Sequence, residues 1–330
     1  TGELAVLNED GERAQTFADV PVIVASGSVP VFPPGLKPDG KRVIAPRLLS
    51  KLNELPGRML VVGAGATGCE AAYLFNALGV SVTWIVDQYG ILPLFEKGAG
   101  EALGATLAEQ GVNIVRGQMV AELEREEDGV TAVLTNGDRH EAEMAFVAVG
   151  RRADLDNLNL WTVGLEVGEN GRIHVDEHGR TSNPRVYLVG DVDGGVMTAN
   201  KAQAQGRIAA RHLAGVPVMP FELSTLIQPV YTEPQVAQVG DVGGKTSTRV
   251  PFGQSLKSHL LAEGDGFLQL YYDEDGRVLG AVAVGPHAAD VLSPVAVAIK
   301  LGGGLEDLAG LYAAYPSLSE LSFIAAREAS

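Results

Sequence analysis

The chain has 330 residues, of which 46% are hydrophobic, and a formal net charge of −16 at pH 7. This length allows a sizeable core spread over two or three domains, while the acidic balance argues against nucleic acid or an anionic membrane as a partner. No apolar run is long enough for a transmembrane helix and no signal peptide opens the chain, so a cytoplasmic protein is expected. The single cysteine excludes a disulfide bond between two of these residues.

The first fifty-five residues are predicted to be rich in strands. Residues 3–7 alternate as a strand before a turn at 8–11, and Val22–Ala25 has the apolar character of a buried strand. A short helix is predicted over Ala45–Glu54. Pro56 and Gly57 then mark a boundary.

A glycine loop, defined here as residues 63–68, follows directly. The apolar run Leu60–Val62 leads into Gly-x-Gly-x-x-Gly, then into helix-forming residues and a second strand at 80–86. Gly63 permits the tight turn, Gly65 lets the backbone approach a pyrophosphate, and Gly68 lets the helix pack closely on the sheet. The helix N-terminus offers unpaired N–H groups to the anion. The pattern predicts a dinucleotide-binding βαβ unit.

The end of the second strand indicates which nucleotide is bound. Asp87 lies 19 residues after Gly68, and no Arg or Lys occurs between Val80 and Glu96. An acidic residue here accepts hydrogen bonds from the adenosine ribose, whereas arginine would favour a 2′-phosphate. The sequence therefore favours NAD over NADP.

The following elements complete this domain. A helix is predicted over Phe95–Gln110, a third parallel strand over 111–115, an antiparallel hairpin over 120–134 and a buried strand over Met144–Val149. Residues 56–149 are therefore predicted to form a nucleotide-binding domain of ordinary size.

The remaining chain divides in two. Arg172–Asp176 and Val186–Asp191 are predicted strands, and Thr198–Leu213 a long helix. The buried strand that begins at Val186 has no evident partner strand in the adjacent sequence, and Val22–Ala25 is a similar strand without a sheet. Residues 1–50 and 150–222 are therefore predicted to form one domain interrupted by the nucleotide domain. Residues 223–330 combine antiparallel strands with helices, which predicts a third, α+β domain.

Five separated motifs resemble, in their order, those of the pyridine nucleotide-disulfide oxidoreductases, which include dihydrolipoamide dehydrogenase, glutathione reductase, mercuric reductase and soluble transhydrogenase. The motifs are Ala25-Ser26-Gly27-Ser28-Val29-Pro30, Gly63 to Glu70, Ala148-Val149-Gly150-Arg151-Arg152, Val189-Gly190-Asp191-Val192 with Met197-Thr198-Ala199-Asn200-Lys201-Ala202, and Ala314-Tyr315-Pro316-Ser317-Leu318-Ser319-Glu320. The resemblance covers nearly the whole chain. It implies an α/β fold of two Rossmann-like FAD- and NAD(P)-binding domains and a C-terminal dimerisation domain.

The resemblance also implies site residues. Asp191 would bind the ribityl chain of FAD, Glu70 would lie on the nicotinamide side, and Tyr315 and Glu320 would reach the active site of the partner in a homodimer. The residues predicted to contact FAD are Ala25, Ser26, Gly27, Arg151, Asp191, Met197, Thr198 and Ala199. Those predicted to contact the nucleotide are Gly63, Gly65, Ala66, Thr67, Gly68, Glu70, Asp87, Val120 and Gly150.

The sequence departs from the family pattern in two ways. Neither the family's first Gly-x-Gly-x-x-Gly nor its Cys-x-x-x-x-Cys pair is present, and the first residue is Thr1, so roughly a hundred N-terminal residues are expected to precede it. Tyr315 stands where disulfide-reducing members carry a proton-shuttling histidine, and tyrosine is a poor base at neutral pH.

The resulting hypothesis is an FAD-dependent NAD(P)H oxidoreductase that passes hydride from nicotinamide to flavin and then to a disulfide, a protein thiol or a small molecule. One alternative is a transhydrogenase-like flavoprotein without a redox disulfide. Another is a flavin-free, NAD-binding dimeric sensor module. His174 and His178 lie in strand and turn sequence, and no metal site is predicted.

Overall fold

The computed structural model describes residues 3–156, 158–244 and 246–330. In chain order its strands are β1 (Glu3–Leu7), β2 (Arg13–Ala18), β3 (Val22–Val24), β4 (Ser28–Pro30), β5 (Val43–Ile44), β6 (Arg58–Val62), β7 (Ser81–Val86), β8 (Asn113–Arg116), β9 (Val120–Arg125), β10 (Val130–Leu134), β11 (Arg139–Ala142), β12 (Met144–Val147), β13 (Arg151–Ala153), β14 (Val186–Leu188), β15 (Gln228–Val230), β16 (Gln235–Gly240), β17 (Thr246–Pro251), β18 (Phe267–Tyr272) and β19 (Val278–Gly285).

The helices are α1 (Ala66–Ala77), α2 (Lys97–Glu109), α3 (Ala199–Leu213), α4 (Leu256–Leu261), α5 (Ala288–Val291), α6 (Ser293–Leu301), α7 (Leu305–Ala309) and α8 (Glu320–Ala329). Within the three described ranges, no helix combines the length and the apolar character needed to cross a bilayer.

The chain forms two compact units. One combines the chain up to Val31 with Arg151–Glu222, and the other combines Phe32–Gly150 with Leu223–Ser330. In the first unit β3 and β14 pair in parallel, with Val22 opposite Val186, while β4 and β13 pair antiparallel. The two halves of this unit are therefore joined by backbone hydrogen bonds across more than 150 residues of sequence.

The second unit contains a five-stranded parallel sheet in the order β5-β12-β6-β7-β8. Its central strands are apolar on both faces; four of the five residues of β6 are buried, as expected when both faces of a parallel sheet are covered. Helix α2 begins with a side-chain cap, because Glu96 accepts a hydrogen bond of 2.9 Å from the Ala99 N–H. A three-stranded antiparallel sheet, β11-β10-β9, accompanies the parallel one.

The C-terminal part of the second unit is an antiparallel sheet in the order β15-β16-β19-β18-β17, accompanied by α4 to α8. One hydrophobic cluster joins this sheet to the parallel one. It includes Trp84, Phe75 and Phe146 from the parallel part together with Phe267 and Val282 from the antiparallel part. The two sheets therefore share a core.

The structure corrects several details of the sequence prediction. Residues 172–176 are not a strand, since the Asp176 N–H bonds locally to the Arg180 carbonyl at 2.8 Å. The predicted helix over 45–54 is a 3-10 turn at Pro46–Lys51. Strands β11 and β17 and helix α4 were not predicted.

The boundary of the first unit also differs from the prediction near residue 50. Residues 43–44 form β5, which extends the parallel sheet beside β12. The first segment of the first unit therefore ends at Val31, and residues 32–50 belong to the unit that contains the parallel sheet.

Replacing Phe146 with Ala tests the packing of this shared core. Phe146 is 1% exposed and meets the Phe75 ring edge-on at 5.9 Å between centroids. Phe146→Ala should lower the free energy of unfolding by roughly 3–5 kcal/mol, because it removes a buried ring and leaves a cavity. Urea denaturation followed by circular dichroism measures this. Leu94→Ala, at a side chain that is 86% exposed, should change the free energy of unfolding by less than about 0.5 kcal/mol. Equal effects of the two variants would contradict the assignment of Phe146 to the shared core.

Candidate functional site

The glycine loop connects β6 to α1 with little free space beneath it. Gly63 has φ +103°, and a Cβ there would lie 2.4 Å from the Ala148 carbonyl oxygen. A Cβ on Gly68 would lie 2.1 Å from the Gly63 carbonyl oxygen. Gly65 differs, because a Cβ there would meet no atom within 4 Å. The first and last glycines are required by packing, while the middle one faces open space above the loop.

The N-terminus of α1 lies at this open space. Gly65 is its N-cap and supplies no side-chain hydrogen bond. The N–H groups of the first turn, which includes Ala66 and Thr67, are therefore not capped by the Gly65 side chain, and the helix dipole favours negative charge there. This is the donor set that a pyrophosphate requires.

The other predicted nucleotide contacts follow neighbouring strands of the parallel sheet. Strand β7 ends at Val86, directly before Asp87, and β12 ends at Val147, three residues before Gly150. Since parallel strands end at the same edge of a sheet, Asp87 and Gly150 lie at the edge where the glycine loop begins. Asp87 Oδ1 accepts a hydrogen bond from the Tyr89 N–H at 2.9 Å, which fixes the carboxylate in a tight turn.

Val120 is the first residue of β9, and its side chain is buried in an apolar cluster with Val62, Ile85 and Val147. Its contribution is therefore to the core below the edge of the sheet.

Glu70 lies on the second turn of α1 and points towards the C-terminal sheet. Its Oε1 accepts a hydrogen bond of 3.0 Å from the Tyr231 N–H, just after β15. Burial raises the pKa of Glu70, and the bond from Tyr231 acts in the opposite direction. One helical turn later, the Tyr73 hydroxyl donates to Glu233 Oε2 at 3.1 Å. The outer face of α1 is thus tied twice to residues 231–233.

In the first unit, the structure brings Asp191 together with a residue that the sequence analysis did not select. The Ser28 hydroxyl donates to Asp191 Oδ2 at 2.5 Å and accepts from Arg151 Nε at 2.7 Å. Arg151 Nη2 also donates to the Ser28 carbonyl at 2.8 Å. Three of the quoted motifs therefore meet at the Ser28 side chain.

The turn that carries Asp191 is held from behind. The Lys201 ammonium, 2% exposed, lies 2.5 Å from Asp193 Oδ1. Gln205 donates to Asp193 Oδ2 and accepts from the Gly190 N–H, both at 2.8 Å. Buried charges of this kind are stable only when paired and hydrogen-bonded. Lys201 and Gln205 lie one turn apart on α3, so the helix fixes the turn before it.

The start of α3 carries an unusual polar atom. The Thr198 hydroxyl is buried and has no hydrogen-bond partner in the described part of the chain, although Thr198 is the N-cap of the helix. Met197 and Ala199 flank it. A buried hydroxyl without a partner is costly and calls for an explanation.

The Ala25-Ser26-Gly27 segment follows β3. The Ser26 hydroxyl donates to the Asp154 carbonyl at 2.7 Å, and the Asp154 N–H donates to the Gly27 carbonyl at 2.9 Å. Gly27 has φ +79°, so the turn suits glycine. These contacts fasten the segment to the chain that follows β13.

The two predicted catalytic residues are placed differently from one another. Tyr315 is 73% exposed, whereas Glu320 is 8% exposed and accepts a hydrogen bond of 2.8 Å from the Ser255 hydroxyl. Among the described residues no hydrogen bond joins Tyr315 to Glu320. Ser255 therefore donates to the carboxylate that was predicted to act together with Tyr315.

Sequence reasoning missed Ser28, Lys201 and Gln205, although Ser28 and Lys201 lie inside the quoted motifs. Nothing in the sequence indicated the contact between Ser28 and Asp191, because these residues are 163 positions apart. The spacing of Lys201 and Gln205, four residues apart in a predicted helix, could have indicated a shared partner.

Two family models match the chain. Residues 1–206 match "Pyridine nucleotide-disulphide oxidoreductase", and residues 228–322 match its dimerisation domain. The NAD(P)H dehydrogenase (quinone) of Mycobacterium tuberculosis is 33% identical over 319 residues, which cover 94% of this chain and 64% of that protein. The dihydrolipoyl dehydrogenase of Halobacterium salinarum is 33% identical over 333 residues, which cover 97% of this chain and 70% of that protein. The chain thus spans about two thirds of the length of these relatives.

Solved structures agree with the fold. LpdA from Mycobacterium tuberculosis superimposes with a TM-score of 0.91 at 32% identity, over 99% of this chain and 73% of that one. The flavoprotein disulfide reductase RclA from Escherichia coli gives a TM-score of 0.88 at 22% identity, over 99% of this chain and 76% of that one, and supports the fold alone. With a family model matching more than half of its length, the chain belongs to the pyridine nucleotide-disulphide oxidoreductase family.

Proposed function

We propose that this chain is part of an FAD-dependent NAD(P)H oxidoreductase. The observation that carries the proposal is the tightly packed glycine loop, which opens onto the N-terminus of α1 at the carboxyl edge of a parallel sheet. This is the usual position of a dinucleotide in such sheets. Relatives named as dihydrolipoyl dehydrogenase and NAD(P)H dehydrogenase (quinone), at 33% identity, support the same class of reaction.

The residues of the first unit fit a flavin. Asp191 Oδ2 accepts from the Ser28 hydroxyl, and the second carboxylate oxygen, Oδ1, would accept from a ribityl hydroxyl. The buried Thr198 hydroxyl, which lacks a protein partner, can be satisfied by a polar group of the same ligand. When bound, FAD supplies the chemistry that accepts hydride from the nicotinamide and passes the electrons to an acceptor.

The chain's own residues would act by binding and orientation. The N–H groups at the start of α1 hold the pyrophosphate of the nicotinamide nucleotide, and Asp87 accepts from its adenosine ribose. Glu70, held by the Tyr231 N–H, lies on the nicotinamide side. Lys201 and Gln205 keep the Asp191 turn in place through Asp193.

The acceptor is proposed only as a class. Cys69 is the single cysteine of the chain and is fully buried, and burial raises its thiol pKa far above the usual range. It therefore does not supply a thiolate at neutral pH. Tyr315, a poor base at neutral pH, stands where disulfide-reducing members carry a histidine, and Glu320 is paired with Ser255. Both features support transfer to a small molecule such as a quinone or a second nicotinamide over disulfide reduction.

The absorption spectrum of the purified protein tests the flavoenzyme. A band near ~450 nm that NADH bleaches without air is expected, and charge-transfer absorbance near ~530 nm on reduction would instead reveal a redox disulfide. Asp191→Ala should reduce FAD affinity roughly tenfold through the loss of a charged acceptor. The exposed Glu169→Ala in the same unit is its control. A colourless protein that binds NADH but no added FAD would contradict the proposal and favour the sensor module.

The nucleotide preference is proposed to be NAD(H). Titration calorimetry should show NADH binding at least about tenfold more tightly than NADPH, because the Asp87 carboxylate repels a 2′-phosphate. Asp87→Asn should lower the ratio of NADH affinity to NADPH affinity about tenfold. Asp128→Asn, in the exposed turn between β9 and β10, should leave it unchanged. Equal affinities for both nucleotides in the unmodified chain would argue against the assignment of Asp87.

We further propose a homodimer formed through the C-terminal domain. Exposed apolar side chains occur there on α6 and after α7, namely Val297, Leu301, Leu311 and Tyr312, of which Leu301 is 78% and Tyr312 100% exposed. Multi-angle light scattering should give twice the chain mass. Leu301→Asp should shift the species towards monomer, since it introduces a charge into an apolar interface. Leu94→Asp, at a side chain that is 86% exposed but outside this domain, should not produce this shift. A monomeric unmodified protein would refute the dimer.

A further inference from the structure

The carbonyl groups of the glycine loop are held from inside the protein. The indole Nε1–H of Trp84, on β7, donates to the Gly63 carbonyl at 2.9 Å. The Leu92 N–H donates to the Ala64 carbonyl at 2.8 Å. Two consecutive peptide groups of the loop are therefore fixed in orientation by donors that belong to other segments.

The orientation of these carbonyls decides where the next N–H groups point. Both peptide bonds are trans, and in a trans peptide the N–H points opposite to the C=O. With the Gly63 and Ala64 carbonyls turned towards Trp84 and Leu92, the N–H groups of Ala64 and Gly65 are turned outwards. Neither donates to an acceptor among the described residues.

Both residues that donate to the loop carbonyls are buried. Trp84 is fully buried in the core shared by the two sheets, beside Phe75. Leu92 is 2% exposed and has φ +52°, a backbone conformation that is unfavourable for leucine and is maintained by its surroundings. The indole N–H is the only polar hydrogen on the Trp84 side chain, so its role in the core is specific to the loop carbonyl.

We propose that Trp84 is a positioning residue for the nicotinamide nucleotide, because its indole N–H orients the Gly63–Ala64 peptide so that the outward N–H groups are ready for the pyrophosphate before the nucleotide binds. This inference rests on the proposed nucleotide site. A loop that is already oriented loses little conformational entropy when the nucleotide binds, because that entropy was lost when the protein folded. Loss of one hydrogen bond should weaken nucleotide binding roughly five- to tenfold.

The test compares Trp84→Phe, which keeps an aromatic ring and removes the N–H, with two matched controls. Trp161→Phe makes the same chemical change at the second tryptophan, which is 76% exposed. Phe75→Leu loosens the same core without touching the loop carbonyl. Should Trp84→Phe fold poorly, 3-benzothienylalanine at position 84 keeps the size of the indole and lacks the N–H.

Two measurements are made on each protein: NADH affinity by calorimetry, and amide hydrogen exchange of residues 64–69 without nucleotide. The expected result is five- to tenfold weaker NADH binding and faster exchange in Trp84→Phe alone, with a smaller NADH-induced rise in Tm. Trp161→Phe should behave as the unmodified chain, and Phe75→Leu should lose stability at unchanged affinity.

Unchanged NADH affinity in Trp84→Phe overturns the inference, even if exchange is faster, because the bond would then serve stability alone. Unchanged exchange also overturns it. Failure of the proposed nucleotide site is a different result, namely no NADH binding by the unmodified chain.

Discussion

The close approach of Gly68 to the Gly63 carbonyl oxygen is the constraint on which the proposed nucleotide site depends. A Cβ on Gly68 would lie 2.1 Å from that oxygen, so α1 can begin directly above the end of β6 only if this position has no side chain. The helix axis is thereby aimed at the edge of the sheet, and the positive end of its dipole lies where Asp87 and Gly150 follow their strands. The same carbonyl oxygen accepts a hydrogen bond from the Trp84 indole N–H. The start of α1, the glycine loop and the buried Trp84 therefore all contact this one oxygen atom.

The site of the first unit is built by a different principle. Its residues come from segments that are far apart in sequence, and hydrogen bonds between side chains hold them together. Ser28 joins Arg151 to Asp191, and the buried Lys201 joins α3 to the turn after β14. Such polar networks are favourable only when every member is satisfied. The Thr198 hydroxyl is the exception in this region, which is why it is the strongest local indication of a ligand.

Much of the fold could be predicted because its signals are local. The apolar run before the glycine loop and the helix after it followed from hydrophobic patterns alone. The parallel pairing of β3 with β14 was not predicted, because it joins residues more than 150 positions apart. The strand expected at 172–176 was wrong because its backbone groups are satisfied in turns, which a five-residue alternation does not reveal. Likewise, β5 belongs to the parallel sheet through a contact with β12, about 100 residues later. The Ser28, Trp84 and Ser255 hydrogen bonds depend on tertiary placement and left no periodic trace in the sequence.

The core shared by the two sheets of the second unit has a consequence for how this protein can be divided. Phe267, Val282 and Val236 pack into the same cluster as Trp84 and Phe146, and Gln238 both accepts from the Glu96 N–H and donates to the Leu94 carbonyl. A fragment that ended near residue 222 would expose this apolar surface and leave the start of α2 without its partner. The parallel and C-terminal sheets are separate in topology but share one core. A chimaera between relatives would therefore have to carry matching residues on both sides of this shared core.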